Sequence, residues 1–312
     1  MKQGKFIISL DFELFWGFGG FDRQFLNGYK GNVKNALKAL DEILRICGEY
    51  GVKVTVAYVG AMNLSSRKEF LENYSSPSFA NETLSSHSLL SNYKDIIEDS
   101  LLFCKDKIEE LKKNPLIELA SHTFSHYYCL EDGQTAEEFS RDLDYGYKLN
   151  GKMNSIIFPR NQVSEPYLKN CEEYGFTHYR GFIDDWLWKP EASSSRYSIK
   201  GMLRLLDSYL PITGYRTYKH PIHGGSIVNV PSSIFYRPYN NKLSFLEPLK
   251  VRRVTSAMKV AAKRGECFHL WWHPHNFGAN IEDSLKQLIT ICETYKKLNS
   301  QYGYTSVFMK EV

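Results

Sequence analysis

Several features that would assign the chain to a specialised class of protein are missing or scarce. The six cysteines are scattered and none forms a Cys-x-x-Cys pair, which favours reduced thiols over a disulfide framework. No stretch approaches the roughly 20 apolar residues of a membrane span. The short apolar run 6–10 is too small for a signal-peptide core, and no internal repeat or low-complexity segment is present. We therefore expect a cytoplasmic protein without a membrane span.

The chain also has little excess of positive over negative charge. The net charge is only +4 over 312 residues, and no long Lys/Arg cluster of the nucleic-acid-binding type occurs. No nucleic-acid partner is predicted. The hydrophobic fraction of 43% and the charged fraction of 24% are ordinary for a globular protein. Aromatic residues make up 14%, which suits sugar-stacking surfaces but also simply fills cores.

Short apolar runs alternate along the chain with segments of helical periodicity. This alternation predicts a parallel sheet covered by helices. Because seven or eight such units follow one another without a break, we expect an α/β fold: a distorted (β/α)7-type barrel in a single domain, 1–312. The rival is an open, doubly wound sheet. Two irregular regions, about 60–93 and 183–245, are interpreted as insertions at the barrel rim. The predicted strands are 6–10, 52–59, 116–121, 155–158, 177–182, 267–272 and 304–308, and the predicted helices include 33–50, 94–113, 166–174, 248–263, 281–298 and one that Thr135 opens.

Two carboxylates stand at the end of the first predicted strand. Strand side chains alternate, so Asp11 and Glu13 share one face while Phe12 takes the other. Like charges on one face repel unless a metal ion or a bound proton lies between them. The alternative is a pair of strand-end carboxylates that simply face water.

Two histidines follow the third predicted strand. His122 and His126 are four residues apart, so on a helical turn they would lie on one side and could chelate one ion. The zinc-protease pattern needs Glu directly after the first His, and Thr123 stands there instead. Chance spacing is the competing explanation for this pair.

Further candidate groups come from two other strand ends. In the run from His269 to His275, alternation puts His273 at the strand end, where a functional group would be displayed. His269 lies deeper and is more typical of a core histidine. His275, just outside the strand, is an alternative candidate for the functional histidine. Arg160, after the strand 155–158, could fix a carboxylate in place. All these motifs fall at carboxyl ends of predicted strands, which in a β/α barrel converge on one site. Two histidines and one carboxylate suit Zn²⁺ or another divalent transition metal, and such a site suits hydrolysis of an amide or ester.

These motifs, in their order and spacing, resemble those of the polysaccharide deacetylase family (carbohydrate esterase family four, the NodB-like domain). The resemblance implies a distorted barrel and metal-assisted hydrolysis of an N- or O-acyl group on a sugar. The family motif Thr-Phe-Asp-Asp-Gly is changed here to Ser-Leu-Asp-Phe-Glu, so that Asp11 corresponds to the base and Glu13 to the metal ligand. The motif His-Ser/Thr-x-x-His is matched by His122 and His126, which implies both as ligands.

The remaining roles are implied by weaker similarities. The motif Leu-x-x-His is matched by Leu270 to His273, which implies His273 as the acid that protonates the leaving group. Arg160 is the counterpart of an arginine that orients the base. Asp185 and Trp186 correspond to a motif that borders the pocket. The side chains that we predict to contact substrate are Trp16, Asp185, Trp186, Trp272 and His275, with Trp271 a further candidate for stacking on a sugar.

The sequence thus predicts a metal-dependent deacetylase of a sugar, oligosaccharide or biosynthetic glycan intermediate, with one divalent metal ion, foremost zinc, as its cofactor. Two alternatives remain. One is a non-catalytic relative that only binds carbohydrate. The other is a metal-dependent amidohydrolase of a small molecule. The acyl group, the sugar and the oligomeric state are not indicated by the sequence.

Overall fold

A computed structural model describes residues 3–183, 186–188, 199–219, 222–223 and 227–312. Asp185, one of the predicted substrate contacts, lies outside these residues. The six cysteines all lie within them, and none is in a disulfide. Among the described residues no helix has both the length and the apolar character needed to cross a bilayer.

A mostly parallel sheet forms the centre of the molecule. Its order is β6-β7-β5-β4-β3-β2-β1-β9-β8, with β10 paired to the start of β1, and among the strands that the structure describes only the β6–β7 pair is antiparallel. The strands are β1 (Lys5–Phe12), β2 (Val54–Tyr58), β3 (Ile117–Ser121), β4 (Ser155–Ile156), β5 (His178–Tyr179), β6 (Ile222–His223), β7 (Val228–Asn229), β8 (Ile234–Phe235), β9 (Cys267–Trp272) and β10 (Thr305–Ser306).

One segment, 228–235, brings the two ends of this sheet together. Its first half pairs with β5, as in the hydrogen bond from Val230 N to Tyr179 O (2.9 Å). Its second half pairs with β9, where Ser233 N donates to His269 O (2.9 Å). The segment therefore closes a distorted seven-membered ring through β1, β2, β3, β4, β5 and β9. The predicted barrel is confirmed, and the open doubly wound sheet is not.

The helices cover the outside of this ring. They are α1 (Arg23–Lys34), α2 (Ala36–Glu49), α3 (Arg67–Asn73), α4 (Ser86–Asn92), α5 (Lys105–Leu111), α6 (Ala136–Asn150), α7 (Glu165–Glu173), α8 (Ile199–Asp207), α9 (Glu247–Arg264) and α10 (Ile281–Tyr302). The predicted capping box at the start of α6 is confirmed, because Thr135 Oγ1 accepts from Glu138 N while the Glu138 carboxylate accepts from Thr135 N.

Two predicted helices are too long. The segment 33–50 is divided at Asn35 between α1 and α2, and α1 itself was not expected. In the segment 94–113, α5 begins only at Lys105, because the backbone of Cys104 is not helical (φ −151°, ψ 49°) and its N–H donates to Met62 O instead of to a helical carbonyl. The regions 60–93 and 183–245 are less irregular than expected, since they contain α3, α4, α8 and three short strands. Their origin as rim insertions stays a prediction.

Side-chain alternation on β1 separates two cores. Phe6, Ile8 and Leu10 pack outward against the helices. Ile7 packs inside the ring with Ala57, Ala120 and Met309. Asp11 lies on the same inward side, at the carboxyl end of β1. The carboxyl ends of the parallel strands therefore form one rim, where β/α barrels carry their functional groups.

Candidate metal and acid–base site

The carboxylates predicted at the end of β1 are both buried at this rim. Asp11 is 2% exposed and Glu13 is 7% exposed. The chain turns directly after Glu13, where Leu14 has a left-handed φ of +45°. This turn carries Gly17 back against the Glu13 carboxylate, so closely that an added Cβ would lie 2.1 Å from Glu13 Oε1. Glycine at position 17 therefore leaves the space that the carboxylate occupies.

The two histidines lie on a loop rather than on the helical turn that we predicted. Thr123 and His126 both have φ +61°, a conformation that ends any helical path through the motif. Thr123 Oγ1 accepts from Tyr127 N at 2.7 Å and holds the turn. The two imidazoles are nevertheless adjacent, with ring centroids 5.0 Å apart.

Asp142 on α6 anchors this histidine loop. Its buried carboxylate accepts from Phe124 N (2.7 Å), from Ser125 N (3.0 Å) and from the hydroxyl of Tyr74. Burial raises the pKa of the Asp142 carboxyl, although these hydrogen bonds oppose the rise. The backbone between the two histidines is thus fixed by a side chain that belongs to the following helix.

Glu13, His122 and His126 bring three potential ligand atoms together. Glu13 Oε2 lies 2.9 Å from His126 Nε2 and 3.3 Å from His122 Nε2, and all three atoms are within 4.8 Å of one another. His122 Nδ1 donates to Ile157 O at 2.8 Å, which leaves Nε2 as the atom with a free lone pair. This buried Nε2 has no hydrogen-bond partner in the described part of the chain. The free lone pair of His122 Nε2 next to the Glu13 carboxylate is the arrangement that would bind a divalent cation.

The electrostatics of these groups agree with a cation site. Burial lowers the pKa of His126 to about 4, so its imidazole is neutral near pH 7, as a metal ligand must be. Burial by itself would raise the pKa of Glu13, but the imidazoles of His273, His122 and His126 outweigh it and hold that pKa well below its ordinary value. Glu13 is therefore ionised.

Asp11 is held by an arginine that we did not predict. Arg180, fully buried on the strand end after β5, donates from Nη1 to Asp11 Oδ1 (2.6 Å) and from Nη2 to Asp11 Oδ2 (2.7 Å). The Arg180 guanidinium also donates to Asn161 Oδ1 (2.8 Å) and to Ser9 Oγ (3.0 Å). Burial would raise the pKa of Asp11, but Arg180 is the chief group that offsets it, and the pKa is lowered.

Arg160 does not make this contact, so its prediction as the orienting group for Asp11 is wrong. Its guanidinium donates to Gly19 O at 2.8 Å and lies over the Tyr128 ring, 4.1 Å from the centroid. The left-handed backbone at Arg160 (φ +53°) turns its side chain toward the histidine loop. Asn161, the next residue, instead reaches Arg180.

His273 stands opposite the two carboxylates and is one-fifth exposed. Its Nε2 lies 3.8 Å from Asp11 Oδ2 and 3.5 Å from Glu13 Oε1. Its Nδ1 is 3.3 Å from Asn276 Oδ1, which orients the ring. His275 stacks on His273 with centroids 4.9 Å apart and is itself buried. Burial lowers the pKa of His275 to about 3.

Two tryptophans predicted to contact substrate belong to the core instead. Trp16 is buried, its Nε1 donates to Leu102 O (2.8 Å), and its ring meets Phe70 edge-on. Trp272 is buried on the helix-facing side of β9, where it stacks on Phe277. Both predictions are therefore wrong.

Two other tryptophans remain candidates for contact with a ligand. Trp186 is 62% exposed. Trp271, on the inward side of β9, lies under the Arg180 guanidinium at 4.1 Å. Alternation within the predicted strand 177–182 could have found Arg180, because it puts that residue on the side opposite Tyr179, toward the barrel interior. Asp142 and Gly17 carry no comparable signal in the sequence.

Comparison with solved structures relates this geometry to known proteins. A protein from Mycobacterium smegmatis assigned as a polysaccharide deacetylase is 12% identical, with TM-score 0.57 over 100% of this chain and 89% of its own. The chain shares the polysaccharide deacetylase fold. A GH57-type branching enzyme from Pyrococcus horikoshii (11% identity, TM-score 0.54, 99% and 70% covered) and the PuuE allantoinase (10%, 0.54, 98% and 88%) are also similar. No family model and no curated protein matches the sequence.

The expected resemblance is thus confirmed for the fold. Because the similar structures include a deacetylase, an allantoinase and a branching enzyme, the fold alone does not select the reaction. That selection must come from the side chains at the rim.

Proposed function

We propose that the chain is a metal-dependent deacylase that hydrolyses an N- or O-acyl group on a sugar or glycan intermediate. The observation that carries this proposal is the cluster of Glu13, His122 and His126 beside Asp11 and His273 at one barrel rim. A protein that merely binds carbohydrate would need neither a buried ionised base nor a facing imidazole.

Glu13, His122 and His126 would hold one divalent ion, for which zinc is the foremost candidate because two imidazoles and one carboxylate suit it. When bound, such an ion polarises a carbonyl and lowers the pKa of water. Asp11 accepts the proton of the attacking water at a carboxylate oxygen, and its contact with Arg180 keeps that carboxylate ionised. His273 delivers a proton from Nε2 to the departing amine or hydroxyl.

A small-molecule amidohydrolase is the second candidate. It is favoured by the burial of Asp11, Glu13 and His126, each less than 8% exposed, because a deeply recessed site admits a small amide more easily than a polymer. The same residues would perform the same proton transfers. The two candidates therefore differ in substrate and not in chemistry.

Hydrolysis is measured directly, as acetate release from the sugars and as ring opening of the cyclic amide. The metal-supplied protein is incubated with N-acetylated amino-sugar oligomers, with O-acetylated sugars and with a small cyclic amide. Release from the sugars, and its loss in Asp11→Asn, is expected. Turnover of the cyclic amide alone would support the amidohydrolase. Binding of oligosaccharide without any hydrolysis would contradict both and favour a non-catalytic protein. His178→Ala is the matched control, because the His178 imidazole on β5 hydrogen-bonds only to the Thr177 hydroxyl among the described side-chain hydrogen bonds.

A further inference from the structure

A surface formed by α8 and the loop after it exposes an unusual amount of apolar side chain. Ile199 is 76% exposed, Met202 61% and Leu206 43%. The loop continues this surface with Leu210, Ile212 and Tyr215, and Leu205 completes the set. We call these seven residues the α8 patch.

The orientation of α8 explains why these side chains face outward. The polar residues of the helix face the protein: Asp207 is 3% exposed and accepts from Trp188 Nε1 (3.0 Å) and from Thr213 N (2.8 Å). Arg204 Nε donates to Leu187 O at 2.7 Å. A surface helix ordinarily turns its apolar stripe inward. Here the stripe faces solvent, and contiguous exposed apolar surface of this kind marks a site of interaction.

The charge around the α8 patch is strongly basic. Residues 199–264 contain twelve Lys and Arg but only two Asp and Glu, whereas the whole chain has a net charge of only +4. Both acidic residues, Asp207 and Glu247, are buried. The exposed basic side chains of α9 include Arg252, Lys259 and Lys263. The exposed charged side chains of this stretch of the chain are therefore all basic.

The apolar and basic surfaces are continuous. A cavity of about 280 Å³ is lined on one side by Leu210 and Tyr215 of the α8 patch. Its other side is formed by Leu249, Arg252 and Ser256 of α9. Lys259 and Lys263 follow Arg252 at spacings of seven and eleven residues, which keeps them on one side of the helix.

We propose that the α8 patch and the basic side of α9 dock on the surface of a lipid bilayer that contains anionic lipids. Apolar side chains beside lysine and arginine are the composition with which a helix lies in a membrane interface. A second copy of the chain is a poor occupant, because two equally basic surfaces would repel each other. The proposal concerns a surface outside the acid–base site and holds whatever reaction that site performs.

Sedimentation with vesicles tests this docking. The full chain is mixed with vesicles of phosphatidylcholine alone and with vesicles that also contain phosphatidylserine. Strong binding to the second kind, weakened by high salt, is expected because the attraction to anionic lipid is screened. Absence of sedimentation with phosphatidylserine vesicles at low salt would overturn the proposal.

Two double variants separate the contribution of the basic side chains to vesicle binding from that of the apolar side chains. Arg252→Ala/Lys259→Ala is expected to weaken binding to anionic vesicles about 30-fold, at roughly fivefold for each basic residue near the surface. Met202→Ser/Leu206→Ser should weaken it at least about tenfold, since both side chains would leave the interface. Lys112→Ala/Lys113→Ala just after α5 and Leu149→Ser on α6, all at exposed residues outside the proposed surface, are the matched controls and should bind like the unaltered chain. Equal binding by all four variants would contradict the proposed surface.

Sedimentation velocity without lipid tests whether a second copy of the chain, instead of a bilayer, covers the α8 patch. The chain is expected to have the same oligomeric state with and without Met202→Ser/Leu206→Ser. A dimer that these substitutions dissociate would show that a second copy covers the α8 patch and would overturn the proposal. All these substituted side chains are exposed, so the variants should keep the melting temperature of the unaltered chain.

Discussion

At the scale of the residue, the contact between Gly17 and Glu13 sets the position of the metal-facing carboxylate. A methyl group at position 17 would overlap Glu13 Oε1, so Gly17→Ala must displace the carboxylate or the turn. We expect metal affinity to fall roughly 10- to 100-fold, as happens when the support of a ligand is disturbed. Isothermal titration with zinc measures this change.

Gly28→Ala is the control for this substitution. Gly28 lies within α1, and nothing stands within 4 Å of the added Cβ. The exchange should raise stability by about 0.5–1 kcal/mol through helix propensity and leave zinc affinity unchanged. Equal zinc affinity in Gly17→Ala and Gly28→Ala would show that Glu13 is not a ligand.

Arg180 determines the protonation state of Asp11. In Arg180→Met the burial of Asp11 is no longer offset, so the pKa of that carboxyl rises. A base must be ionised to act, and the pH below which activity falls is therefore expected to move upward. The uncompensated buried charge should also cost about 3–5 kcal/mol of unfolding free energy. A pH–rate profile and a denaturant titration measure the two effects.

Arg160→Met provides the comparison. Arg160 donates to Gly19 O and does not pair with Asp11, so the acidic limb of the pH–rate profile should stay where it is. If Arg160→Met moved that limb and Arg180→Met did not, the assignment of Arg180 as the positioning residue for Asp11 would be wrong.

Single residues also show how far the sequence can be interpreted. Alternation on β1 correctly put Asp11 and Glu13 on one side, since the period of a strand is fixed at two. The same period puts Arg180 on the inner side of its strand, whereas the similarity of Arg160 to a known motif favoured the wrong arginine. The burial of Trp16 could not be predicted, because an indole ring suits a core and a sugar surface equally well. Alternation on β9 puts Trp272 on the side opposite Trp271 and His273, so its place in the helix-facing core could have been predicted.

At the scale of the element, α6 and the histidine loop act as one unit. Asp142→Asn replaces an acceptor of several hydrogen bonds by an amide whose NH₂ group would face the N–H groups of Phe124 or Ser125. The expected loss of unfolding free energy is about 1–3 kcal/mol. Zinc affinity should fall as well, because the loop positions His126. Thermal melting and zinc titration of the same sample measure both.

Asp144→Asn is the matched exchange on the same helix. Asp144 pairs with Lys148 at the surface (2.6 Å), so its loss should cost at most about 1 kcal/mol. An Asp142→Asn protein as stable and as zinc-competent as Asp144→Asn would contradict the role of Asp142 in holding the loop.

Elements differ in how well the sequence predicted them. β9 was predicted with its observed bounds, and the start of α6 was marked by its capping box. The break at Asn35 and the late start of α5 were not predicted, because they depend on partners distant in sequence, such as Met62 O for Cys104 N. The spacing of His122 and His126 predicts a helical turn, because spacing cannot reveal the left-handed φ at Thr123 and His126.

At the scale of the whole molecule, metal binding should be linked to stability. A ligand that binds only the folded chain stabilises it by about 2.7 kcal/mol when its free concentration is 100 times Kd. For a chain of this length we expect the melting temperature to rise by roughly 5 °C with zinc and to fall again with a chelator. Differential scanning fluorimetry measures the shift.

His122→Ala/His126→Ala should melt at one temperature with zinc and with chelator. His178→Ala, which removes a histidine outside the cluster, should keep the full zinc-dependent shift. A shift that persisted undiminished in the double variant would mean that zinc stabilises the fold somewhere other than at this rim.

The segment 228–235, which closes the ring between β5 and β9, also governs the order in which the chain can fold. The contacts inside the closed ring join residues that are distant in sequence: Arg180 and Asp11 are 169 residues apart, and His269 and Ser9 are 260 apart. Pairings of such long range form slowly. During synthesis β1 leaves the ribosome first, yet its partner β9 follows more than 250 residues later. On the apolar side of β1, the ring of Phe6 packs on Phe268, Tyr295 and Tyr304, which are made last. Phe6 therefore lacks these partners for most of synthesis, and a nascent chain is prone to aggregate at such an uncovered apolar side chain.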